Sequence, residues 1–291
     1  RGEDLASEMT VVRNEYESGE NDPMQRLGKY AWYQAFSVHP YRIPTIGTKE
    51  DIEGITVEKL RAFYDTFYWP NNAVLTIIGD TDTESALRMA EEAFGSLPKN
   101  EITEPPYHVE PPQRGERRFE LKRQGAVNAL MLCFKAPEGL SKDAYALSAL
   151  SAVLSKGKSS LLYRALIDTG LATELHADFP RFRDPSLLEI YVALSENIPH
   201  EKVEQVIFET IAGIAEGKLK EEDLARAVQY KVADRLYSLS AVSGMLSAMN
   251  EAIARGDWKD TFSFQHNIQQ ITLADVTGCA KKYLGKDGVT I

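Results

Sequence analysis

The chain has 291 residues, 43% of them hydrophobic, enough for a substantial core and for two domains. Lys plus Arg number 33 against 43 Asp plus Glu, a net charge of −10, which argues against a protein that grips a phosphate backbone with clustered cations. No run of about eighteen apolar residues occurs that could span a membrane as a helix.

In chain order, residues 3–18 carry helical periodicity, and a second helix is expected over 22–36, with Asp22 as N-cap and Pro23 in its first turn. A long loop, "SVHPYRIPTIGTKEDIEG", follows. A third helix is expected over 56–68, capped by Thr56, then a buried strand, "AVLTIIG" (73–79), and a helix from about Thr83 to Phe94. Pro105, Pro106, Pro111 and Pro112 mark 104–116 as an extended linker. Beyond it the pattern predicts strands at 117–122 and 127–135, helices at 141–154 and 158–169, and strands at 172–179 and 186–194. Long helices are expected at 200–217 and 220–255. The whole reads as α+β, with mainly antiparallel strands packed with helices.

The sequence carries an internal duplication. "ITVEKLRAFYDTFYWPNNAVLTI" from Ile55 recurs as "ITLADVTGCAKKYLGKDGVTI" from Ile271, and "EDLA" at Glu3 recurs at Glu222. The expected division is a first unit at 1–98, a Pro-rich linker at 99–116 and a second unit at 117–291. On the same offsets the second unit is nearly whole and the first is an incomplete half. That half then has to pack on a segment preceding Arg1 or on a partner.

On the first helix, Leu5, Met9, Val12 and Tyr16 form one apolar stripe. Glu8 and Glu15 stack two turns apart on one line beside it, between Val11 and the stripe. Two readings stand for such acids. They reach water along the edge of a core, or they face a partner, since an unpaired buried carboxylate costs several kcal/mol. At an offset of 219 the second unit has Ala227 for Glu8 and Asp234 for Glu15, so only the first copy keeps both glutamates. The five histidines, His39, His108, His176, His200 and His266, fall in neither H-E-x-x-H nor H-x-x-E-H spacing. His39, in "HPYR", is read as structural. Cys133 and Cys279 are read as two separate buried thiols.

"SEMTVVRNEYESGENDP", "HPYRIPTIGTKEDIEGIT", "LRAFYDTFYWPNNAVLTIIGD" and "LSKGKSSLLYRALIDTGLATEL", in that order, resemble the insulinase/pitrilysin family of zinc metallopeptidases, the inverzincins. The resemblance implies half of a bowl built from two repeats, the second noncatalytic. It implies that an H-x-x-E-H helix, absent here, supplies two zinc-ligand histidines and a general base. Glu15 is then the third ligand of a Zn2+ ion and Glu8 a supporting acid behind it. The implied activity is hydrolysis of short or unfolded peptides by the full protein, with this chain inactive alone and zinc not retained by it. The implied partners are the peptide, the preceding segment, and a second half or subunit that closes the chamber. The implied compartment is the bacterial periplasm or cytoplasm. A noncatalytic scaffold subunit of the same fold is the alternative.

Overall fold

The computed structural model describes residues 2–102, 107–125 and 127–291. Its centre is a four-stranded sheet in the order β2-β3-β1-β4, from strands β1 (Ala129–Ala136), β2 (Ala172–Asp178), β3 (Ser186–Leu194) and β4 (Val289–Thr290). Every pairing among these four is antiparallel, and β1 and β3 run in register from Ala129↔Ala193 to Ala136↔Ser186. Period-two alternation sends Leu130, Leu132 and Phe134 of β1 to one face and Met131 and Cys133 to the other.

Helix α6 (Lys142–Ser155) lies in the larger core, with α7 (His200–Ala215), α8 (Glu221–Ser238), α10 (Asp260–Gln269) and α11 (Leu273–Tyr283) around it. Every residue of α6 from Ala144 to Leu154 is buried, as expected of a helix apolar on all sides. The opposite sheet face is covered by α2 (Pro23–Ala35), which packs Ala31, Ala35 and the following Phe36 on Met131, Cys133 and Leu187. Asp22 caps α2 by accepting the Gln25 N–H at 2.8 Å. At its other end Arg117 donates to the orphan carbonyls of Gln34 and Ala35, each at 2.8 Å.

The expected linker is anchored at several points. Glu110 accepts the N–H groups of Ser37, Val38 and His39 at 2.7–3.1 Å, and Gln113 donates to Val289 O at 2.7 Å. Burial opposes the charge on Glu110, yet those three N–H groups and Lys135 hold its carboxyl down to about 2. Burial in turn pushes the Lys135 ammonium down to about 8 against the pull of Glu110. Residues 103–106, part of that proline-rich stretch, lie outside the described residues.

Several expectations need correction. Residues 73–78 are extended but pair with no strand among the described residues, because a strand needs a partner's N–H and C=O groups and residues 2–98 offer none. The helix expected over 220–255 is two helices, α8 and α9 (Val242–Arg255), broken at Leu239 to Ala241. The chain folds back so tightly there that a Cβ on Gly244 would sit 1.8 Å from Ser238 O. Only Tyr163–Ile167 and the two residues before it are helical in the stretch expected at 158–169, and the five form a π-turn with both Leu162 and Leu166 fully buried. In the expected strand at 117–122, Arg117 and Phe119 bond in parallel fashion to residues 289–291. Helices α3 (Lys49–Glu53) and α10 were not anticipated; α3 is held by a reciprocal capping box between Thr48 and Asp51.

Candidate functional site

Helix α1 spans Gly2–Asn21 without a break. Its stripe of Leu5, Met9, Val12 and Tyr16 is half-buried, while Glu8 and Glu15 beside it are both exposed. Among the described residues neither acid meets a partner that would cover it. The stripe faces α2 and α3, and a void of about 300 Å3 is left between Leu5, Met9 and Arg13 on α1 and Ile52 and Ile55 at α3. Lys29 bridges the end of α1 to α2, donating to Glu20 at 2.8 Å and to the Tyr16 hydroxyl at 3.0 Å. No group of three or more His, Cys, Asp or Glu side chains gathers among the described residues. Glu8 and Glu15 could therefore give a metal one or two carboxylate oxygens, while a zinc centre takes at least three protein ligands.

The surroundings of α1 are incompletely covered. Helices α4 (Val57–Phe67) and α5 (Thr83–Phe94) bury no residue fully. Leu60, Phe63, Tyr64 and Tyr68 are exposed on or just beyond α4, Val74, Leu75 and Ile77 on the extended segment, and Leu87, Met89 and Phe94 on α5. These side chains leave the apolar faces of α4 and α5 uncovered among the described residues.

His39 is buried, and its Nδ1 accepts the Tyr41 N–H at 3.2 Å while Nε2 lies 3.6 Å from Asp184. That is a structural role, as the sequence suggested. Cys133 and Cys279 are free and buried, and burial pushes both thiols up. One cluster has no signature in the sequence. Asp260 accepts from Tyr145 at 2.7 Å, Arg181 at 3.0 Å and Arg255 at 2.6 Å, all deeply buried. Its members come from four elements up to 115 positions apart, so no spacing motif could announce them.

With this geometry in view, the sequence matches the family described as the peptidase M16 inactive domain over residues 54–230, more than half of the chain. The chain belongs to the peptidase M16 inactive-domain family. Zinc protease PqqE of Helicobacter pylori is 25% identical over 269 residues, covering 91% of this chain and 60% of that protein. An uncharacterized zinc protease of Mycobacterium leprae is 26% identical across 98% of this chain and 64% of its own length. The chain thus spans about three fifths of these curated relatives. Among solved structures, a protease from Helicobacter pylori superposes over the full chain and 71% of its own, with a TM-score of 0.93 at 24% identity. A putative M16-like peptidase from Alicyclobacillus acidocaldarius does so over the full chain and 70% of its own, with a TM-score of 0.78 at 24% identity. These two likenesses are of fold. This M16 chain also has no helix among its described residues long and apolar enough to cross a membrane.

Proposed function

We propose that this chain is part of a zinc-dependent endopeptidase that hydrolyses short or unfolded peptides. In it, Glu15 is the third zinc ligand, Glu8 the acid that supports it, and 117–291 a noncatalytic second unit. The chain's own residues do not complete a zinc site, so the chain alone is inactive and retains no zinc. The two histidines and the general base come from a segment preceding Arg1. The observation that carries the reading is α1 itself, which keeps Glu8 and Glu15 on one line in a chain of this family, while the apolar faces of α4 and α5 stay uncovered among the described residues.

The repeat supports the source of the missing cover. Helix α11 and the single 3-10 turn after it begin 216 positions after α4 and its turn, and α8 and α9 begin 219 positions after α1 and α2, within a residue or two. In the second unit α11 is packed by β1, α6 and α7. On the same offsets the first unit's equivalents of those elements precede Arg1. A second half or subunit then closes the chamber over the peptide. The proposed compartment is the bacterial periplasm or cytoplasm, the periplasm supported by the fold neighbour PqqL, a periplasmic protease of Escherichia coli.

The test is metal analysis of the full protein with and without Glu15→Gln. Near-stoichiometric zinc that falls at least tenfold in the variant, together with loss of hydrolysis of an unfolded peptide, is expected. Equal zinc in both proteins, or hydrolysis untouched by the substitution, would sink the assignment. A second reading, a noncatalytic scaffold subunit, draws on the exposure of Glu8 and Glu15 and on a fold likeness to a chain of complex III from Candida albicans (TM-score 0.84, 14% identity). Zinc-free full protein without the histidine motif would establish that reading instead.

A further inference from the structure

The second unit holds a cavity of about 230 Å3 between α8, α9, α10 and the loop after β2. Four cations line it: Arg181, Lys231, Arg235 and Arg255. Two acids line it with them, Asp234 and Asp260. Both oxygens of Asp260 are already engaged, Oδ1 by Tyr145 and Arg181 and Oδ2 by Arg255. Arg181 is fixed further by donating to Gly139 O at 2.8 Å and by lying over the Tyr145 ring, and Arg255 by donating to Arg181 O at 2.7 Å.

The other two cations are not fully used. Arg235 donates one Nη to Thr261 O at 2.9 Å, but its Nε is buried with no partner. Lys231 has no hydrogen-bond partner among the described residues, although Asp178 and Asp234 lie near enough to favour its charge. Burial lowers the pKa of Lys231, Arg235 and Arg255 alike, a sign of cations short of compensating charge. Glu251 offsets part of the field at Arg235 and Arg255, and Lys156 adds to it at Lys231. A buried donor left without an acceptor is unfavourable, because it loses its bond to water and gains none in return.

We infer that this cavity is a binding site for a small oxyanion, a carboxylate or a phosphate, which accepts from the Lys231 ammonium and pairs with the Arg235 guanidinium. A guanidinium held edge-on by its neighbours suits such a planar or tetrahedral oxyanion. Asp234, on the rim, stands 219 positions after Glu15 on the matching helix. The second unit thus carries a cationic cavity beside the helix that in the first unit carries the acidic line. The inference stands on the cavity alone and not on the peptidase reading.

Calorimetric titration of the full protein at constant ionic strength in chloride tests it. The probes are inorganic phosphate, citrate, and one peptide as its free acid and as its C-terminal amide. Saturable binding of at least one oxyanion is expected, weakened about tenfold or more in both Lys231→Met and Arg235→Gln. Asp234→Asn should tighten binding severalfold, a direction that a folding defect does not produce. Binding of the free-acid peptide but not the amide assigns the site to peptide carboxylates; binding of phosphate or citrate without the peptide assigns it to free anions. The inference is overturned if no probe binds saturably, which leaves the void to water, or if the three variants bind as the parent does.

Discussion

Helices α4 and α11 are the same length, each have a threonine N-cap, Thr56 and Thr272, and lead into the same kind of turn 216 positions apart. Their burial is opposite. Leu60 is 45% exposed where Val276 is 0%, Phe63 55% where Cys279 is 3%, and Tyr64 58% where Ala280 is 2%. The extended segment after α4 pairs with nothing among the described residues, while its counterpart β4 bonds to β1. Local sequence makes the helix and its caps in both places; the sheet beneath decides whether the apolar face stabilises anything. Each large side chain moved from water into such a core contributes roughly 1.5–3 kcal/mol, so the first unit forgoes much of its stabilisation in this chain.

The contrast can be broken at its strong end first. Phe134→Ala, in the middle of β1 and fully buried, is expected to destabilise the chain by about 3–5 kcal/mol in denaturant unfolding. Phe63→Ala on α4 should cost less than about 1 kcal/mol in this chain, and clearly more in the full protein if the preceding segment covers it. Equal, small losses in both forms would refute the idea that the first unit is completed from outside. Asp260→Ala strands Arg181 and Arg255 as buried cations, and a loss of about 3–5 kcal/mol is expected, read as a drop in thermal midpoint.

The seam between the units responds to pH. Glu189 on β3 accepts from the Trp32 indole of α2, and burial pushes its carboxyl up to about 7, with the indole bond opposing the shift and Asp178 adding to it. The unfolded chain releases this proton near the ordinary ~4.3. Between that value and about 7 the folded state alone holds the proton, so this group makes the protein less stable as pH rises through the window, by at most about 4 kcal/mol. Below the window and above it the contribution is flat. Glu189→Gln should remove the slope, and midpoints collected from pH 4 to 8 that fall equally steeply in parent and variant would refute it.

Glu110 has the opposite sign. Its carboxyl is held at about 2 when folded, so its contribution is full above ~4.3 and fades as the pH falls toward 2. Glu110→Gln should cost about 1–3 kcal/mol at pH 7 and little near pH 2. A pH-independent loss would mean that packing, not charge, fastens the strap to residues 37–39. The smallest effect is expected from Glu15→Gln, whose exposed side chain should leave the stability of this chain within about 0.5 kcal/mol. A larger loss would show a structural role and weaken the case that Glu15 is kept for a metal.

The patterns that depend on neighbours in sequence were legible. The amphipathic stripe of α1, the Asp22 and Thr56 caps, the apolar run of β1 and the bounds of β3 all follow from local hydrophobic patterning and capping chemistry. The offsets of 216 and 219 read from the sequence recur in the spacing of α4 with α11 and of α1 and α2 with α8 and α9. The break between α8 and α9 was missed, although Ser238, Ser240, Ser243 and Gly244 are weak helix formers and the close approach at Gly244 marks where the chain turns back.

Sequence alone thus determined α1, α2, α4 to α7, the strands β1 to β3, the family resemblance and the line of two glutamates on α1. Those are short-range matters of periodicity, capping and residue identity. Tertiary structure alone decided that, among the described residues, 73–78 stay unpaired, that Glu8 and Glu15 are left uncovered, and that Arg181, Lys231, Arg235 and Arg255 share one cavity. Pairing, burial and charge clustering depend on which distant segments the fold brings together, and no local pattern encodes that.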